Sequence, residues 1–303
     1  MQTPIFILSP TASGKSRLAH QLALSLKTEI ISLDSMKIFR GMDIGTAKPP
    51  RKKQQEIPYH MIDVADPDQY FDVSAYMKMA EKAALDIRER DRTPIFSGGT
   101  ALYAKCLLYG LFSGPGADKK TRDRIRTRLA KEGNEKLFVE LQAVDPEASE
   151  RIHPNDSKRL VRALEVYTLT GKPISAFQQQ FGARSFRFPA RLYGLLIERR
   201  ELRRRIDERV DRMIRDGLVE ETEHLLSRWK TLGPQSAKAV GYKQACEFLG
   251  GDYDHTEMID KIKIATHRLA RHQMTWFRKF PITWLPPEKA HKRILEDTPP
   301  DRG

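Results

Sequence analysis

A nearly complete phosphate-binding loop close to the start of the chain limits the folds that this sequence can adopt. The P-loop pattern is glycine, four further residues, then Gly-Lys-Ser/Thr, and residues 9–16 are SPTASGKS. Gly14, Lys15 and Ser16 match this pattern, whereas Ser9 stands in place of the first glycine. Such a loop holds phosphate where a strand enters it and a helix leaves it. The residues on either side therefore decide whether the match is meaningful.

The flanking residues have the patterns that a P-loop requires. The apolar run at 4–8 predicts a short buried strand, and leucines at helical spacing predict a helix from Lys15 to Leu26. Further strands are predicted at 29–33, 60–64, 93–100 and 191–197, with a short apolar segment at 282–285. Further helices are predicted at 73–90, from Thr100 onward, and at 119–132, 134–143, 156–170, 173–180, 199–215, 217–229 and 255–279. Strands that alternate with helices are typical of a parallel α/β sheet.

The alternation stops in the middle of the chain. Gly-Pro-Gly at 114–116 marks a boundary, and each periodic segment that follows is helical until a strand pattern returns at 191. We therefore predict an α/β protein with a P-loop-type parallel sheet flanked by helices and with an inserted all-helical domain. The predicted parts are 1–117 (first part of the core), 118–189 (helical insertion), 190–286 (second part of the core) and 287–303 (polar, proline-rich tail).

Charge and composition narrow the classes of function. The net charge is +13 over 303 residues, which fits attraction to a polyanion such as a nucleic acid, although a basic solvated surface gives the same value. Cys106 and Cys246 are the only cysteines, too few for a disulfide framework or a cysteine-based metal site. No segment resembles a signal peptide or a membrane span. We expect a cytoplasmic monomer without zinc and without a membrane partner.

The loop residues have defined chemical roles if the site is real. The backbone N–H groups of 11–16, at a helix N-terminus, are expected to surround an anion. Lys15 would contact the terminal phosphates, and the Ser16 hydroxyl would bind Mg²⁺. Ser9 is expected to be a harmless replacement, because a residue before proline favours extended backbone and does not need glycine's freedom. The predicted phosphate-binding residues are Ser9, Pro10, Thr11, Ala12, Ser13, Gly14, Lys15 and Ser16.

A carboxylate follows the second strand. Ligands of open parallel sheets bind beyond the carboxyl ends of the strands, so Asp34 is expected near the phosphate loop. There it could act as a general base or organise Mg²⁺. The alternative is structural, because Asp34-Ser35 at a strand end often caps a turn.

Six blocks of the sequence resemble, in order, the tRNA dimethylallyltransferase family, also called tRNA isopentenyl transferases, in its bacterial form. The resemblance covers residues 4–285. Its blocks are SPTASGKS, ISLDSMKIFRGMDIGTAKP (31–49), GGTALY (98–103), RIHPNDSKRLVRALEVYTLTGKP (151–173), VGYKQ (240–244) and ATHRLARHQMTWFRK (265–279). The sequence departs from the family pattern at Ser9 and, in detail, around Lys37 and Phe39.

The resemblance implies a reaction and a set of roles. The family transfers a dimethylallyl group from dimethylallyl diphosphate to N6 of the adenosine 3′ of the anticodon (position 37) in tRNA, and diphosphate is released. By motif match, Asp34 is the base on the adenine amine, Thr100 lies in the channel between the substrates, and Arg209 contacts the diphosphate. Mg²⁺ is the implied cofactor, and the implied partners are dimethylallyl diphosphate and the tRNA anticodon stem-loop.

The resemblance also implies a set of tRNA contacts. The residues are Asp34, Ser35, Met36, Lys37, Thr100, Arg122, Lys158, Arg159, Leu160, Val161, Arg162, Lys238, Ala239, Val240, Gly241, Tyr242 and Lys243. Without the family pattern, the alternating charges around Arg209 and the basic residues at 158–162 are typical of solvated helix faces.

Two other functions fit parts of the sequence. A small-molecule P-loop kinase would use the same loop for ATP, but the long helical insertion and the charge favour an RNA substrate. The hypothesis of a non-enzymatic basic RNA-binding protein accounts for the net charge. It assigns no function to the phosphate loop or to Asp34.

Overall fold

The predicted strands form one sheet. The computed structural model describes residues 2–111, 114–178 and 186–298. Its strands are β1 Ile5–Leu8, β2 Ile30–Leu33, β3 Tyr59–His60, β4 Ile95–Gly98, β5 Arg191–Leu195 and β6 Thr283–Leu285. They pair in the order β3-β2-β4-β1-β5-β6, and every pairing is parallel. The predicted parallel α/β sheet is confirmed.

Twelve helices are present in the described residues. Their bounds are α1 Lys15–Ser25, α2 Arg51–Glu56, α3 Val73–Glu89, α4 Ala101–Tyr109, α5 Lys119–Val144, α6 Pro146–Arg151, α7 Ser157–Thr170, α8 Arg199–Arg215, α9 Leu218–Trp229, α10 Tyr242–Leu249, α11 His255–Phe277 and α12 Pro287–Glu296. Across the described ranges, none of these helices is both long enough and apolar enough to cross a bilayer.

The chain divides into two compact units. The first comprises Met1–Leu107 and Phe188–Gly303, and the second is Leu108–Arg187. In the described part of the second unit the regular elements are helices only. The sequence analysis put this insertion at 118–189, so its predicted start lies inside the second unit.

One apolar cluster of the first unit lies between the sheet and α1. The β1 side chains Ile5 and Ile7 pack with Leu18 and Leu22 of α1. Leu18 and Leu22 occupy one face because they are four residues apart. Ile294 of α12 joins the same cluster. Residues 287–296, predicted as part of a polar tail, are therefore a helix with a buried face.

Some predicted elements differ in extent. The strand predicted at 60–64 is the two-residue β3, and the helix predicted at 173–180 is a short 3-10 helix at Ile174–Phe177. Residues 179 and 180 lie outside the described residues. Four helices had not been predicted: α2, α6, α10 and α12. The longest of them, α12, has only 10 residues, and short segments give little periodicity.

The helical unit has its own apolar centre. Leu137 and Leu141 of α5 pack with Leu160 and Leu164 of α7. Gly133 has a non-helical backbone (φ 81°, ψ 167°) that divides α5 into two helical segments. This break lies where the sequence analysis separated helices 119–132 and 134–143.

The carboxyl ends of three strands lie at one level. Leu8 of β1 and Leu33 of β2 are both paired with Gly98 of β4. A Cβ at Gly98 would lie 2.1 Å from the Leu33 carbonyl oxygen, so only glycine permits this approach. The residues that follow these strands, Ser9, Asp34 and Gly99, therefore emerge at the same edge of the sheet.

Ser9 has a structural function that the sequence analysis did not anticipate. It is fully buried, and its Oγ accepts a hydrogen bond of 2.7 Å from the backbone N–H of Leu195. The β1–β5 pairing register ends at Ile7 and Tyr193. The serine hydroxyl thus continues the connection between the two strands beyond their backbone pairing, and Ser9 is more than a harmless replacement for glycine.

We expect Ser9→Ala to lower the free energy of unfolding by about 1–3 kcal/mol, because the Leu195 N–H would lose its acceptor inside the core. Urea unfolding followed by circular dichroism measures this change. Ser9→Thr, which retains a hydroxyl, is the control. An unfolding free energy equal to that of the unsubstituted protein in the alanine variant would contradict the role of the hydroxyl.

Candidate functional site

The backbone of the phosphate loop forms a concave set of donors. Ala12 and Gly14 both have left-handed conformations, with φ of 61° and 93°. Alternation of left- and right-handed residues turns successive N–H groups to one side, which creates an anion site. Within the described residues, the N–H groups of Ala12, Gly14 and Ser16 donate to no protein acceptor. These three groups, at the N-terminus of α1, are available to an anion.

The N–H of Thr11 is not part of this set. It donates to Oε1 of Gln273 at 2.8 Å, and Nε2 of Gln273 donates to the Gly99 carbonyl oxygen at 3.1 Å. The prediction that all N–H groups of 11–16 face an anion is wrong at Thr11, and the N–H groups of Ser13 and Lys15 donate to the Pro10 carbonyl oxygen and to Ser13 Oγ, each at 3.4 Å. Gln273 instead connects the loop to the turn after β4. A Cβ at Gly99 would lie 2.2 Å from Gln273 Nε2, so this contact requires glycine.

Lys15 lies among other cations. Its Nζ donates to the Pro10 carbonyl oxygen at 3.2 Å. The pKa of Lys15 is lowered to about 7, chiefly by burial and also by the nearby charges of Lys37 and Arg209, while Asp34 opposes the shift. The pKa values of Lys37 and Arg209 are also lowered, in each case chiefly by burial. An anion would relieve the repulsion among these three groups.

Asp34 combines the two roles that the sequence analysis treated as alternatives. Its Oδ1 accepts hydrogen bonds from the backbone N–H groups of Met36 at 2.9 Å and Lys37 at 3.3 Å, so it caps the turn after β2. Within the described residues, Oδ2 has no hydrogen-bond partner. The carboxylate also lines the pocket above the loop. One oxygen fixes the side chain while the other remains available for chemistry.

Thr100 supports the same turn. Its N–H donates to the Leu33 carbonyl oxygen at 3.0 Å, and its Oγ1 accepts from the Ser35 N–H at 3.0 Å. Thr100 does not belong to the lining of the pocket that contains Asp34. The contacts of Thr100 with Leu33 and Ser35 hold the turn that carries Asp34. That Thr100 lies in a channel between the substrates stays a prediction.

One pocket unites residues from several predicted groups. Its lining is Thr11, Lys15, Ser16, Asp34, Met36, Lys37, Gly45, Thr46, Arg209, Val210, Met213, Ala239, Val240, Ile262, Thr266, Leu269 and Gln273. The exposed Ser16 hydroxyl and the Asp34 carboxylate are hard oxygen donors, the kind that Mg²⁺ binds together with water and substrate phosphates. These two residues fit a magnesium ion. In the described ranges no three His, Cys, Asp or Glu side chains converge as a metal-binding group.

A half-buried carboxylate fixes the loop that carries Gly45 and Thr46. Glu221 of α9 accepts hydrogen bonds from the Ile44 N–H at 3.0 Å and from the Tyr242 hydroxyl at 2.5 Å. The Tyr242 oxygen accepts from the Gly45 N–H at 3.1 Å. Burial raises the pKa of Tyr242 far above its usual value. Glu221 was not among the predicted site residues, because the loop that it binds lies far away along the chain.

Lys48 secures the other end of this loop. Its side chain is almost fully buried, and Nζ donates to the Phe39 carbonyl oxygen at 2.6 Å, to Asp43 at 2.6 Å and to Asp63. A buried lysine requires such partners, since an unpaired charge is expensive to desolvate. The loop is therefore fixed at both ends.

Burial corrects several of the predicted tRNA contacts. The side chains of Leu160 and Val161 belong to the core of the helical unit. Ala239 and Tyr242 are also buried, and the tyrosine hydroxyl is bound to Glu221. Leu160, Val161 and Tyr242 therefore pack inside the protein and are not exposed for an RNA, whereas Ala239 also lines the pocket that contains Asp34.

Arg122 and Arg162 share one acceptor. Both guanidinium groups bind Oε2 of Glu165, at 2.7 and 2.8 Å, and the Asp118 N–H donates to Oε1 at 2.8 Å. Burial alone would raise the pKa of Glu165, but these hydrogen bonds outweigh it and lower the pKa. The two arginines therefore stabilise a buried carboxylate in the helical unit.

Other predicted RNA-facing side chains are accessible. Lys158 and Arg159 are exposed, and so are Lys238 and Lys243. Arg159 pairs with Asp156, and Lys243 pairs with Glu247 at 3.5 Å. Ser35, Met36 and Lys37 are half-buried at the turn that Asp34 caps, and Val240 is half-buried in the pocket lining. Gly241 is buried at the start of α10.

Together the fold and the pocket define a class: an α/β protein of the P-loop type whose pocket combines an anion-binding loop, cations and a carboxylate. The IPP transferase family model matches residues 37–280. A tRNA dimethylallyltransferase 1 from Trichlorobacter lovleyi is 45% identical over 93% of this chain and 92% of its own length. One from Geotalea uraniireducens is 43% identical over 93% and 91%. The chain belongs to the IPP transferase family and is an enzyme of the prenyltransferase class.

Solved structures agree with this family. A tRNA delta(2)-isopentenylpyrophosphate transferase from Staphylococcus epidermidis is 34% identical, covers 98% of both chains and superposes with a TM-score of 0.71. A eukaryotic dimethylallyltransferase acting on tRNA is 24% identical, covers 100% of this chain and 81% of its own, and has a TM-score of 0.80. At that identity the second likeness concerns the fold alone.

The pKa of Lys15 predicts proton uptake when an anion binds. In the free protein its pKa is about 7, so at pH 8 the amine is largely neutral. A bound diphosphate would raise that pKa, so up to about one proton would be taken up and affinity would fall as pH rises above 7. Calorimetric titration of inorganic diphosphate at pH 8, in two buffers of different ionisation enthalpy, measures the uptake.

Lys15→Arg is the matched control, because arginine stays charged and the ligand's own titration is the same for both proteins. We expect the variant to take up fewer protons than the unsubstituted protein. Equal uptake by the two proteins would mean that Lys15 is already charged in the free site.

Proposed function

We propose that this enzyme transfers a dimethylallyl group from dimethylallyl diphosphate to N6 of the adenosine 3′ of the anticodon (position 37) in tRNA. The bond between the allylic carbon and the diphosphate oxygen breaks, and a bond from that carbon to N6 forms. The N6 proton passes to the Asp34 carboxylate, and diphosphate leaves with the electron pair of the broken bond. The names and similarity of the relatives support the substrates.

The observation that carries the mechanism is that Asp34, Lys15 and Arg209 line one pocket above the phosphate loop. A group transfer of this kind needs a base on one side of the reacting carbon and positive charge on the other. The pocket offers both. It also lies at the carboxyl edge of the parallel strands, where α/β enzymes bind their ligands.

Asp34 is suited to accept the amine proton. The hydrogen bonds from the Met36 and Lys37 N–H groups hold Oδ1, so the side chain cannot rotate freely. This leaves Oδ2 directed by a fixed turn, which removes the entropy of orienting a base. An exocyclic amine is a weak nucleophile, and proton removal as the N–C bond forms assists it.

The other residues stabilise the leaving group. The N–H groups of Ala12, Gly14 and Ser16, with Lys15 and Arg209, surround the charge that develops on the diphosphate. These donors are in place before the reaction, so little reorganisation is needed. Ser16 would hold Mg²⁺, which would supply Lewis-acid stabilisation of the same charge.

The RNA must present an unpaired base. Sequence-specific RNA recognition mostly uses bases in loops, and enzymes that modify a base move it out of the stack into a pocket. The exposed cations Lys158, Arg159, Lys238 and Lys243 are candidates for contacts with the phosphate backbone. Their contribution would weaken as salt concentration rises.

A labelling experiment tests the function against a P-loop kinase. The protein is incubated with Mg²⁺, tRNA that carries an unmodified adenosine 3′ of the anticodon, and either dimethylallyl diphosphate labelled in its carbon chain or γ-labelled ATP. We expect label to move from the isoprenoid to tRNA. Transfer of phosphate from ATP to an acceptor, without prenylated tRNA, would refute the proposal. Retention of tRNA without any transfer would identify a non-catalytic RNA-binding protein.

The substitution Asp34→Asn tests the role of Asp34 as a base while it preserves the role of Asp34 in capping the turn. The amide oxygen can still accept from the Met36 and Lys37 N–H groups, but the side chain no longer takes a proton. We expect transfer to fall about 10²–10⁴-fold, while tRNA is still retained on a filter. The measurement is single-turnover transfer with saturating substrates.

Asp66→Asn is the control, because Asp66 is paired with Arg40 and does not line the pocket. It should leave transfer nearly unchanged. Near-normal turnover in Asp34→Asn would show that Asp34 is not the base.

A further inference from the structure

A second pocket opens on the other side of the phosphate loop. It has a volume of about 520 Å³ and shares no lining residue with the pocket that contains Asp34. Pro10, the end of β5, the first half of α8 and the last half of α11 form its walls. Pockets for small organic ligands in proteins enclose roughly 300–1,000 Å³, so its volume suits such a ligand.

The floor of this second pocket is apolar. Leu195, Ile206 and Ala270 contribute buried surface, and Met274 adds an adaptable side chain. Leu196 lines the same pocket with 61% of its surface exposed. A large exposed leucine beside a concave apolar floor is surface that a ligand could cover with a favourable change in free energy.

The rim of the second pocket is strongly cationic. Four exposed arginines surround it. Arg199 and Arg203 belong to α8, Arg271 belongs to α11, and Arg278 directly follows α11. Within the described residues none of the four has an ion-pair partner, and Asp207, which follows Arg203 by four positions on α8, is bound to His267 at 2.8 Å. Their charges are therefore not neutralised by the protein.

Other arginines of the same helix are arranged differently. Arg204 binds Glu201 at 2.8 Å and Glu208, and Arg205 binds Glu201 at 2.7 Å. Arg204 and Arg205 do not line the second pocket. Arg204 and Arg205 are thus paired with carboxylates, whereas Arg199 and Arg203, which line the second pocket, are not.

We propose that the second pocket binds an amphiphilic phosphate, namely an apolar chain longer than five carbons that ends in a phosphate or diphosphate. Guanidinium groups recognise phosphate oxygens through paired hydrogen bonds, and the apolar floor would cover the chain. Because Pro10 lines the pocket, the occupant would contact the backbone of the phosphate loop from its outer side.

An RNA strand fits this pocket less well. Single-stranded nucleic acids are bound by aromatic side chains on which bases stack, and Trp284 is the only Trp, Tyr or Phe in the lining. The aliphatic floor matches a hydrocarbon chain. This second site is distinct from the site of the proposed transfer reaction, since Pro10 is the only one of its lining residues that was predicted to bind the substrate phosphate.

Geranyl diphosphate is a suitable probe. Inorganic diphosphate, which has only the charged head, and geraniol, which has only the apolar chain and a hydroxyl, are the controls. Binding is measured by calorimetry on the full chain and on Lys15→Gln, which weakens binding at the phosphate loop. We expect Lys15→Gln to retain a geranyl diphosphate site that neither the head nor the tail alone fills at the same concentration. Loss of all binding in Lys15→Gln would overturn the proposal, as would equal affinity for inorganic diphosphate.

Variants at the rim and the floor locate the site. In the Lys15→Gln background, Arg203→Ala with Arg271→Ala should weaken geranyl diphosphate binding at least about tenfold, and Leu196→Asp should weaken it similarly. Arg204→Ala, on the same helix but outside the pocket, should change it less than about twofold. Unchanged binding in the Arg203/Arg271 variant would refute the site. The site would also be refuted if this variant lost affinity for the anticodon stem-loop but not for geranyl diphosphate, since these arginines would then bind RNA.

Discussion

The parallel pairing of β1, β4 and β2 determines where the chemistry can occur. Leu8 and Leu33 both pair with Gly98, so the chain leaves all three strands at one level. The phosphate loop, Asp34 and the Gly99 turn then meet within a few ångströms of backbone. The absence of a side chain at Gly98 is essential, because a Cβ would collide with the Leu33 carbonyl oxygen. A shift of one residue in this register would turn each side chain to the opposite face and separate Asp34 from the loop.

Part of this arrangement could be predicted from the sequence. The strand–loop–helix order placed Lys15 at a helix N-terminus, and the strand before Asp34 placed that carboxylate at the same edge of the sheet. Those expectations need only local patterns and the rule that parallel strands end together. The place of Arg209 in the pocket followed from the family resemblance alone, because its own helix has the charge pattern of a solvated surface.

The residues that fix the site could not be predicted in this way. Gln273 joins Thr11 to Gly99, and Glu221 joins the loop at 43–45 to Tyr242. Each contact links residues more than 150 positions apart or lies between separate helices. A contact of this kind cannot be predicted from the local spacing of apolar residues. The burial of Tyr242, Leu160 and Val161 could not be predicted for the same reason, because it depends on contacts between distant parts of the chain. A motif identifies which residues are characteristic, but it does not distinguish a side chain that contacts a substrate from one that shapes the surface beneath.

The pocket holds three cations close together against their electrostatic repulsion. Burial lowers the pKa of Lys15, Lys37 and Arg209, neighbouring positive charges lower each pKa further, and Asp34 opposes the shift in all three. The protein supports the arrangement with rigid neighbours: the Gln273 bridge, the Glu221 contacts and the Ser9–Leu195 hydrogen bond. Stability is thus used to hold a site that is unfavourable without its anion, as expected where function requires preorganised charge. The Asp34 carboxylate gains from the same rigidity, since the turn that it caps also fixes the direction in which its free oxygen can accept a proton.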